Sequence, residues 1–139
     1  MENKKDLNQN LSHYQFSPES QYLDRKSARK KPQELLKHLI AFANADGGQL
    51  VIGIEDEKQD NIITGFKDGK SYPIDDFKKI DREMRETPLD LSFEEIPVVN
   101  HKGEDDVILV ISVELSSNRV IAAPNDEVYL RQGDETVKL

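Results

Sequence analysis

The stretch 32–54 constrains the fold of this chain more than any other. Pro32 suits the first turn of a helix, where no backbone N–H is needed. Apolar residues then recur at helical spacing: Leu35, Leu36, Leu39, Ile40, Phe42 and Ala43. Asn44, Gly47 and Gly48 predict the helix end, because glycine tolerates the left-handed conformation of a C-cap. The alternating run 49–54 predicts a buried strand in which Gly53 leaves room for a close approach. We therefore expect a helix packed tightly against the strand that follows it.

The rest of the chain alternates between strand and helix patterns. Asp75 and Asp76 open a second helix, with Phe77, Ile80 and Met84 as its apolar stripe, and Thr87-Pro88 ends it. Residues 89–99 and 106–115 predict two long antiparallel strands, and 107–113 is apolar enough to be a central strand. Shorter strands are expected at 62–66, 120–123 and 128–131. The predicted class is α+β, with a mixed, largely antiparallel sheet and two main helices.

Length and composition favour one domain with a different N-terminus. The chain has 139 residues, of which 36% are hydrophobic, and this is a common size for a single domain. Residues 1–16 are mostly polar, so we expect a flexible N-terminal tail or one loosely attached strand there. Residues 17–139 are expected to form the domain.

The residue types exclude several classes of function. The chain has no cysteine, which excludes disulfides, thiolate catalysis and cysteine-based zinc sites and agrees with a cytoplasmic location. No signal peptide or stretch long enough to span a bilayer is visible, so no membrane partner is expected. His13, His38 and His101 lack the spacing of metal ligands and are interpreted as ordinary surface or half-buried residues.

Positive charge is concentrated in one short segment of an acidic chain. The net charge is −8, yet residues 25–31 carry five positive charges and no negative one: Arg25, Lys26, Arg29, Lys30 and Lys31. On charge alone, a solvated loop is the simpler interpretation. As one exposed strip, these side chains would bind a phosphate backbone. Arg131, in a later strand, is a further candidate for phosphate contact.

Several motifs together point to a known family. The segments are 19–26 (ESQYLDRK), 41–48 (AFANADGG), 53–56 (GIED), 65–66 (GF) and 129–133 (YLRQG). They resemble the Schlafen AlbA-type domain, and the resemblance covers roughly residues 17–133. It implies a DNA-binding domain at the N-terminus of a longer prokaryotic transcriptional regulator. Nucleic acid is the implied partner, DNA more than RNA.

The same resemblance implies a second, catalytic function. Animal Schlafen proteins include endoribonucleases whose active site is similar to three carboxylates, which match Glu19, Asp24 and Asp56 here. Oxygen ligands of this kind suit Mg²⁺ or Mn²⁺, and Lys26 would neutralise the phosphate. The sequence departs from the nuclease pattern at Asp24, where a glutamate is usual, and at Arg25, where phenylalanine is usual. Glu19 and Asp24 also need a bend between them to converge, because they are five positions apart.

Alternatives remain open for these residues. Asn44, Gly47, Gly48 and Gly53 are interpreted as a structural motif of helix capping and tight packing. A phosphate-binding nest formed by Asn44, Asp46, Gly47 and Gly48 is the alternative. For the chain as a whole, nucleic-acid binding without catalysis ranks first and a protein-interaction or homodimerisation module second. The metal-dependent endoribonuclease ranks third.

Overall fold

The computed structural model describes the backbone of residues 4–55, 60–84 and 87–139. Its helices are α1 (Lys4–Phe16), α2 (Pro32–Ala43) and α3 (Ile74–Lys78). Its strands are β1 (Leu23–Lys26), β2 (Gly48–Ile52), β3 (Leu91–Val99), β4 (Asp105–Val113), β5 (Tyr129–Gln132) and β6 (Glu135–Lys138). Within these ranges, no helix is both long and apolar enough to cross a membrane.

Four strands form a mixed sheet in the order β1-β2-β4-β3, and β5 and β6 form a separate hairpin. Strand β1 is parallel to β2, whereas β4 is antiparallel to both β2 and β3. The predicted α+β class with a mixed, largely antiparallel sheet is confirmed. Lys26, the last residue of β1, pairs with Ile52, and Ile52, the last residue of β2, pairs with Leu109. The C-terminal ends of β1 and β2 therefore point toward the end of the sheet at which β4 begins.

Strand β4 is central, as its apolar sequence predicts. Its alternate residues enter two separate cores on opposite faces of the sheet. Leu109, Ile111 and Val113 join the core that α2 covers. Ile108 and Val110 join the other core, against which Leu11 and Tyr14 of α1 pack. The molecule therefore has α1 and α2 on opposite faces of the sheet.

Helix α2 is anchored at its C-terminal end. The Asn44 side chain donates to the carbonyls of Ile121 (2.8 Å) and Tyr129 (2.9 Å), and its Oδ1 accepts from the Ile121 N–H. Gly47 has φ +78°, and a Cβ on Gly48 would lie 2.4 Å from the ring of Phe42. Glycine is therefore needed where the chain turns from α2 into β2, because a side chain would push the helix off the sheet.

The structure differs from the sequence prediction in five elements. The short strands predicted at 62–66 and 120–123 do not form, because Ile63 and Ala122 make only isolated bridges, to Ile54 and Val128. Residues 4–16 form helix α1, where we expected a mobile tail or a loosely attached strand. Helix α3 ends at Lys78, although Phe77 and Ile80 are buried as the apolar stripe predicts. Strand β6 was not predicted, because its central residues Thr136 and Val137 are only half-buried and show little hydrophobic alternation. The boundary between a tail and the domain at 17 stays a prediction.

Candidate functional site

Strand β1 sends its charged side chains to opposite faces of the sheet. Leu23 and Arg25 lie on the α1 side and Asp24 on the α2 side, because successive residues of a strand alternate. Arg25 is 1% exposed and donates to the carbonyls of Tyr14 (2.9 Å) and Ser17 (2.6 Å) at the end of α1. It therefore ties α1 to the sheet.

Glu19 and Asp24 are brought together by a reversal of the chain. A turn at 21–22 folds the segment back, and the Ser20 N–H donates to the Leu23 carbonyl at 3.0 Å. The Glu19 carboxylate accepts from the Arg25 N–H at 3.1 Å. The bend that convergence requires is thus present, and the two carboxyl groups are close enough to change each other's pKa.

This pair holds its proton on Glu19. Burial, together with the neighbouring Asp24 carboxylate, raises the pKa of Glu19 to about 7. Burial also acts to raise the pKa of Asp24. The interaction with Glu19 and the positive charges of Lys26 and Arg131 outweigh it, so the pKa of Asp24 is lowered. Near neutral pH, Asp24 is therefore ionised beside a carboxyl that titrates there.

Arg131 neutralises Asp24 from inside the protein. Its guanidinium is 2% exposed and donates to Asp24 Oδ2 at 2.8 Å. It also donates to the carbonyls of Ser20 and Leu23 and lies over the ring of Phe42 at 4.8 Å. Because it connects the β5–β6 hairpin to β1 and α2, Arg131 joins parts of the fold and does not face an external phosphate.

His38 completes the cluster, a position that the histidine spacing gave no reason to expect. Its Nδ1 lies 3.7 Å from Asp24 Oδ2 and shares a hydrogen bond of 2.8 Å with Thr136 Oγ1. Burial lowers the pKa of His38, the Asp24 carboxylate opposes this change, and the cations Lys26, Lys37 and Arg131 add to the lowering. The resulting pKa is about 4. His38 is therefore neutral at physiological pH.

The described part of this cluster does not by itself fit a divalent cation. Asp24 Oδ2 is taken by Arg131, and Oδ1 faces Lys26 Nζ at 3.4 Å with no hydrogen-bond donor among the described residues. Glu19 keeps a proton up to about pH 7. No group of three or more metal-binding side chains occurs within the described ranges. Asp56, the third predicted ligand, lies outside the described residues.

The predicted strip of five cations is not one exposed surface. Arg25 is buried, because its guanidinium is used to hold α1. Lys26 is partly exposed beside Asp24. Arg29 is exposed but pairs with Asp68, to which its Nε donates at 2.8 Å. Lys30 and Lys31 are exposed at the start of α2. The outward-facing part of the strip is therefore smaller than the charge count suggests.

Gly53 allows another segment to approach the end of β2 closely, as predicted from the sequence. Its φ is +110°, and its N–H donates to the Lys26 carbonyl at 2.9 Å. Its own carbonyl accepts from the N–H groups of Thr64 (3.0 Å) and Gly65 (2.9 Å). The segment that approaches Gly53 closely is thus another part of this chain.

A known family matches most of the chain. Residues 19–139 match the family described as Schlafen, AlbA_2. The chain belongs to the Schlafen AlbA_2 family. Membership indicates a nucleic-acid-related domain and agrees with the motifs at 41–48 and 129–133. No curated protein matches the chain.

A solved structure supports the fold of this Schlafen AlbA_2 domain. The DIP2311 protein from Corynebacterium diphtheriae superimposes with a TM-score of 0.62 at 18% identity. The match covers 99% of this chain and 32% of the DIP2311 chain. The chain thus spans about a third of the length of that relative, and the likeness concerns the fold alone.

Proposed function

We propose that this Schlafen AlbA_2 domain binds nucleic acid, DNA in preference to RNA. We further propose that it is the N-terminal domain of a longer cytoplasmic transcriptional regulator in a prokaryote. The supporting observation is the turn between β1 and α2, where Lys30 and Lys31 are exposed and Arg29 lies next to them. The segment 25–31 contains no acidic residue, so no carboxylate of this segment repels a phosphate that approaches the turn.

The turn holds its cations on a fixed backbone. The Ser27 hydroxyl accepts from the Arg29 N–H at 3.1 Å, and the Ser27 carbonyl accepts from the Lys30 N–H at 3.2 Å. Ala28 is fully buried, and its carbonyl accepts from the Tyr72 N–H at 2.8 Å. A backbone fixed in this way favours binding, because less conformational entropy is lost when a phosphate is contacted.

The negative net charge of the domain opposes binding to a nucleic acid. With a net charge of −8, the domain as a whole repels a polyanion, so attraction must come from local contacts. Binding by a few lysines depends on the release of counterions from the nucleic acid. We therefore expect measurable affinity at low salt and a steep loss as salt is added.

The test compares two double variants that lose the same charge. Lys30→Ala/Lys31→Ala removes the exposed cations of the turn, and Arg119→Ala/Lys138→Ala removes two exposed cations elsewhere. Fluorescence anisotropy with a short mixed-sequence DNA duplex is recorded over a salt series. Loss of two phosphate contacts is expected to reduce the slope of log K against log salt by about 1.8 for the turn variant alone. Absence of salt-sensitive binding by the unmodified domain would contradict the proposal.

An endoribonuclease is the second candidate, favoured by the convergence of Glu19 and Asp24. Glu19 has the properties of a general acid or base, because its pKa is raised to about 7 and Lys26 lies beside its partner Asp24. In this candidate function, Glu19 carries the proton that moves when an RNA phosphodiester is cleaved, and Lys26 stabilises the phosphate charge.

Cleavage of structured RNA tests the second candidate. The domain is incubated with RNA in Mn²⁺, Mg²⁺ or EDTA, and the products are separated on a gel. Cleavage should be lost in Glu19→Gln and kept in Glu94→Gln, the same change on an exposed residue of β3. Dependence on Mn²⁺ together with loss in Asp56→Ala would support the three-carboxylate metal site predicted from sequence. Intact RNA under every condition would exclude the nuclease and leave binding as the function.

Homodimerisation, the remaining alternative, stays a prediction. The outer strand β3 carries Glu94, Glu95 and Pro97, which discourage pairing of one strand edge with another. Sedimentation at several protein concentrations measures the oligomeric state directly.

A further inference from the structure

Three segments that are distant in sequence meet at the edge of the sheet where β1 ends and β4 begins. The first is the β1–α2 turn at 27–31, and the second is the segment 64–72. Asp68 joins them, because its carboxylate accepts from the Arg29 guanidinium and from the Lys70 N–H. The Ala28 carbonyl, which accepts from the Tyr72 N–H at 2.8 Å, makes a second connection. The two segments therefore hold a fixed relation to each other.

The third segment is the β3–β4 turn at 100–106, and Asp106 ties it to the second. The Asp106 carboxylate accepts from the N–H groups of Phe66 (3.0 Å) and Lys67 (3.2 Å) and from Asn100 Nδ2 (2.9 Å). Gly65 permits this contact, because a Cβ there would lie 2.2 Å from Asp106 Oδ2. The three segments are thus joined by buried carboxylates.

These carboxylates point inward, whereas the lysines around them point outward. Asp68 and Asp106 are 9% and 8% exposed, and both accept hydrogen bonds from the protein. Lys67, Lys70 and Lys102 are all exposed. The positive charge of Lys102 contributes to lowering the pKa of Asp68, after the larger effect of Arg29, so these segments are close enough to interact. The exposed side of the joined segments therefore presents cations.

We infer that Lys67, Lys70 and Lys102 extend the surface of Lys30 and Lys31 into one binding surface for the phosphodiester backbone of a nucleic-acid duplex. This inference rests on the proposed function and specifies which residues contact the partner and what part of it they contact. Each lysine is a flexible point charge that suits a phosphate and carries no base specificity. Binding through this surface is accordingly independent of sequence.

The absence of exposed phenylalanine and tyrosine rings in the three segments favours a duplex over a single strand. Phe66 packs against Phe77 in the core, and Tyr72 also packs against the core. The exposed phenylalanine and tyrosine residues that the structure describes, Phe16, Tyr22 and Phe93, belong to other segments. Proteins that bind single strands use such rings to stack on successive bases. The phosphate backbone of a stacked duplex is therefore the better match.

Acidic neighbours limit the surface to short-range contacts. Glu104 and Asp105 follow Lys102 on the same turn and are exposed. Cations flanked by carboxylates attract a polyanion only at short range, because at longer distances the opposite charges cancel. This arrangement explains how an acidic domain can still bind a polyanion at one place.

The experiment adds one double variant to the salt titration. Lys70→Ala/Lys102→Ala changes the two lysines that flank Asp68, and Arg119→Ala/Lys138→Ala is the control with the same net charge. Arg119 follows the far end of β4, about 26 Å from its start. Lys138 pairs with Tyr129, whose carbonyl is held by Asn44 at the C-terminal end of α2. Arg119 is therefore remote from the proposed surface, and Lys138 lies on the separate β5–β6 hairpin.

The expected result is a slope reduced by about 1.8 for the Lys70/Lys102 variant on duplex DNA, with the control unchanged. Duplexes of unrelated sequence should give the same affinity, and a single strand should bind more weakly. If Lys30→Ala/Lys31→Ala weakens binding but Lys70→Ala/Lys102→Ala matches the control, the extended surface is wrong and the proposed function stands. If the unmodified domain does not bind DNA at all, both are wrong. Tighter binding to the single strand would overturn the choice of a duplex.

Discussion

Two groups of positive charges in this domain contribute equally to its net charge but have opposite surroundings. Arg25 and Arg131 are 1% and 2% exposed, and their guanidinium groups donate to backbone carbonyls and, in Arg131, to Asp24. Lys30 and Lys31 face solvent. The planar guanidinium has several fixed donors and can be buried when most of them find acceptors, whereas an ammonium group is strongly hydrated. In Arg25 both terminal nitrogens find acceptors and only Nε has none among the described residues. The arginines here join segments of the fold, and the lysines remain available to a partner.

The largest effect is expected when Arg131 is replaced. Arg131→Met keeps a long apolar side chain over Phe42 but leaves Asp24 buried without its closest cation. Removing one partner of a buried ion pair costs about 3–5 kcal/mol of unfolding free energy. Urea unfolding followed by circular dichroism measures this loss.

Lys138→Met provides the matched control for this prediction. Lys138 lies on the same hairpin, its side chain is 60% exposed, and its ion pair with Glu127 spans 3.6 Å. Exposed pairs of this kind contribute about 0–1 kcal/mol. Equal destabilisation of the two variants would mean that Arg131 is not the residue that holds the hairpin to β1.

A smaller effect is expected at Arg25. Arg25→Met removes the donors to the carbonyls of Tyr14 and Ser17, which leaves two acceptors at the end of α1 without their partner. Unsatisfied buried acceptors cost about 1–3 kcal/mol each, less where water reaches them. Hydrogen exchange should show faster exchange in α1. The salt slope of DNA binding should not change. A reduced slope would mean that Arg25 contacts a phosphate and belongs to the binding surface.

The comparison also shows what could be predicted from the sequence. The stretch 32–54 was predicted well, because helical spacing, Pro32 and the Gly47–Gly48 pair all act locally. The meeting of Glu19 with Asp24 was foreseen only as a requirement for a bend. Local patterns did not reveal that Arg25 and Arg131 are buried, because their partners are 8 to 11 and 107 to 111 residues away. Charge patterns in a sequence do not distinguish a cation that binds backbone carbonyls from one that faces solvent.

The cluster around Asp24 gives a prediction that depends on pH. Glu19 has a pKa raised from 4.5 to about 7, so between these values the folded protein holds a proton that the unfolded chain releases. Its contribution to stability therefore falls as pH rises through this range. His38 has a pKa lowered from 6.5 to about 4, so there the unfolded chain holds the extra proton. Its contribution makes stability rise with pH, and the two effects oppose each other.

Separating the two groups should reveal slopes of opposite sign. In Glu19→Gln, stability should rise with pH between about 4 and 6.5, because His38 and the carboxyl groups with a lowered pKa, such as Asp24, bind fewer protons in the folded protein than in the unfolded chain. In His38→Gln, which can still bond to Thr136, stability should fall between about 4.5 and 7. Urea midpoints at several pH values measure both slopes. Slopes of the same sign in the two variants would contradict the assignment of the proton to Glu19.

The smallest effect is expected at Arg29, which is intermediate between the two groups of charges. Its side chain is 43% exposed, yet it pairs with Asp68, so it resembles the buried arginines in its bonding and the lysines in its position. Asp68→Asn should cost no more than about 1 kcal/mol, because Arg29 is half-exposed and is hydrated when its buried partner loses the charge, and Asn keeps an acceptor for the Lys70 N–H. It should also strengthen DNA binding and raise the salt slope by up to about 0.9, since Arg29 becomes free to contact a phosphate. Asp90→Asn, on an exposed residue near the far end of β4, removes the same charge and should leave the slope unchanged. If Asp68→Asn behaves like this control in the binding assay, Arg29 belongs with Arg25 and Arg131, and the exposed lysines alone form the binding surface.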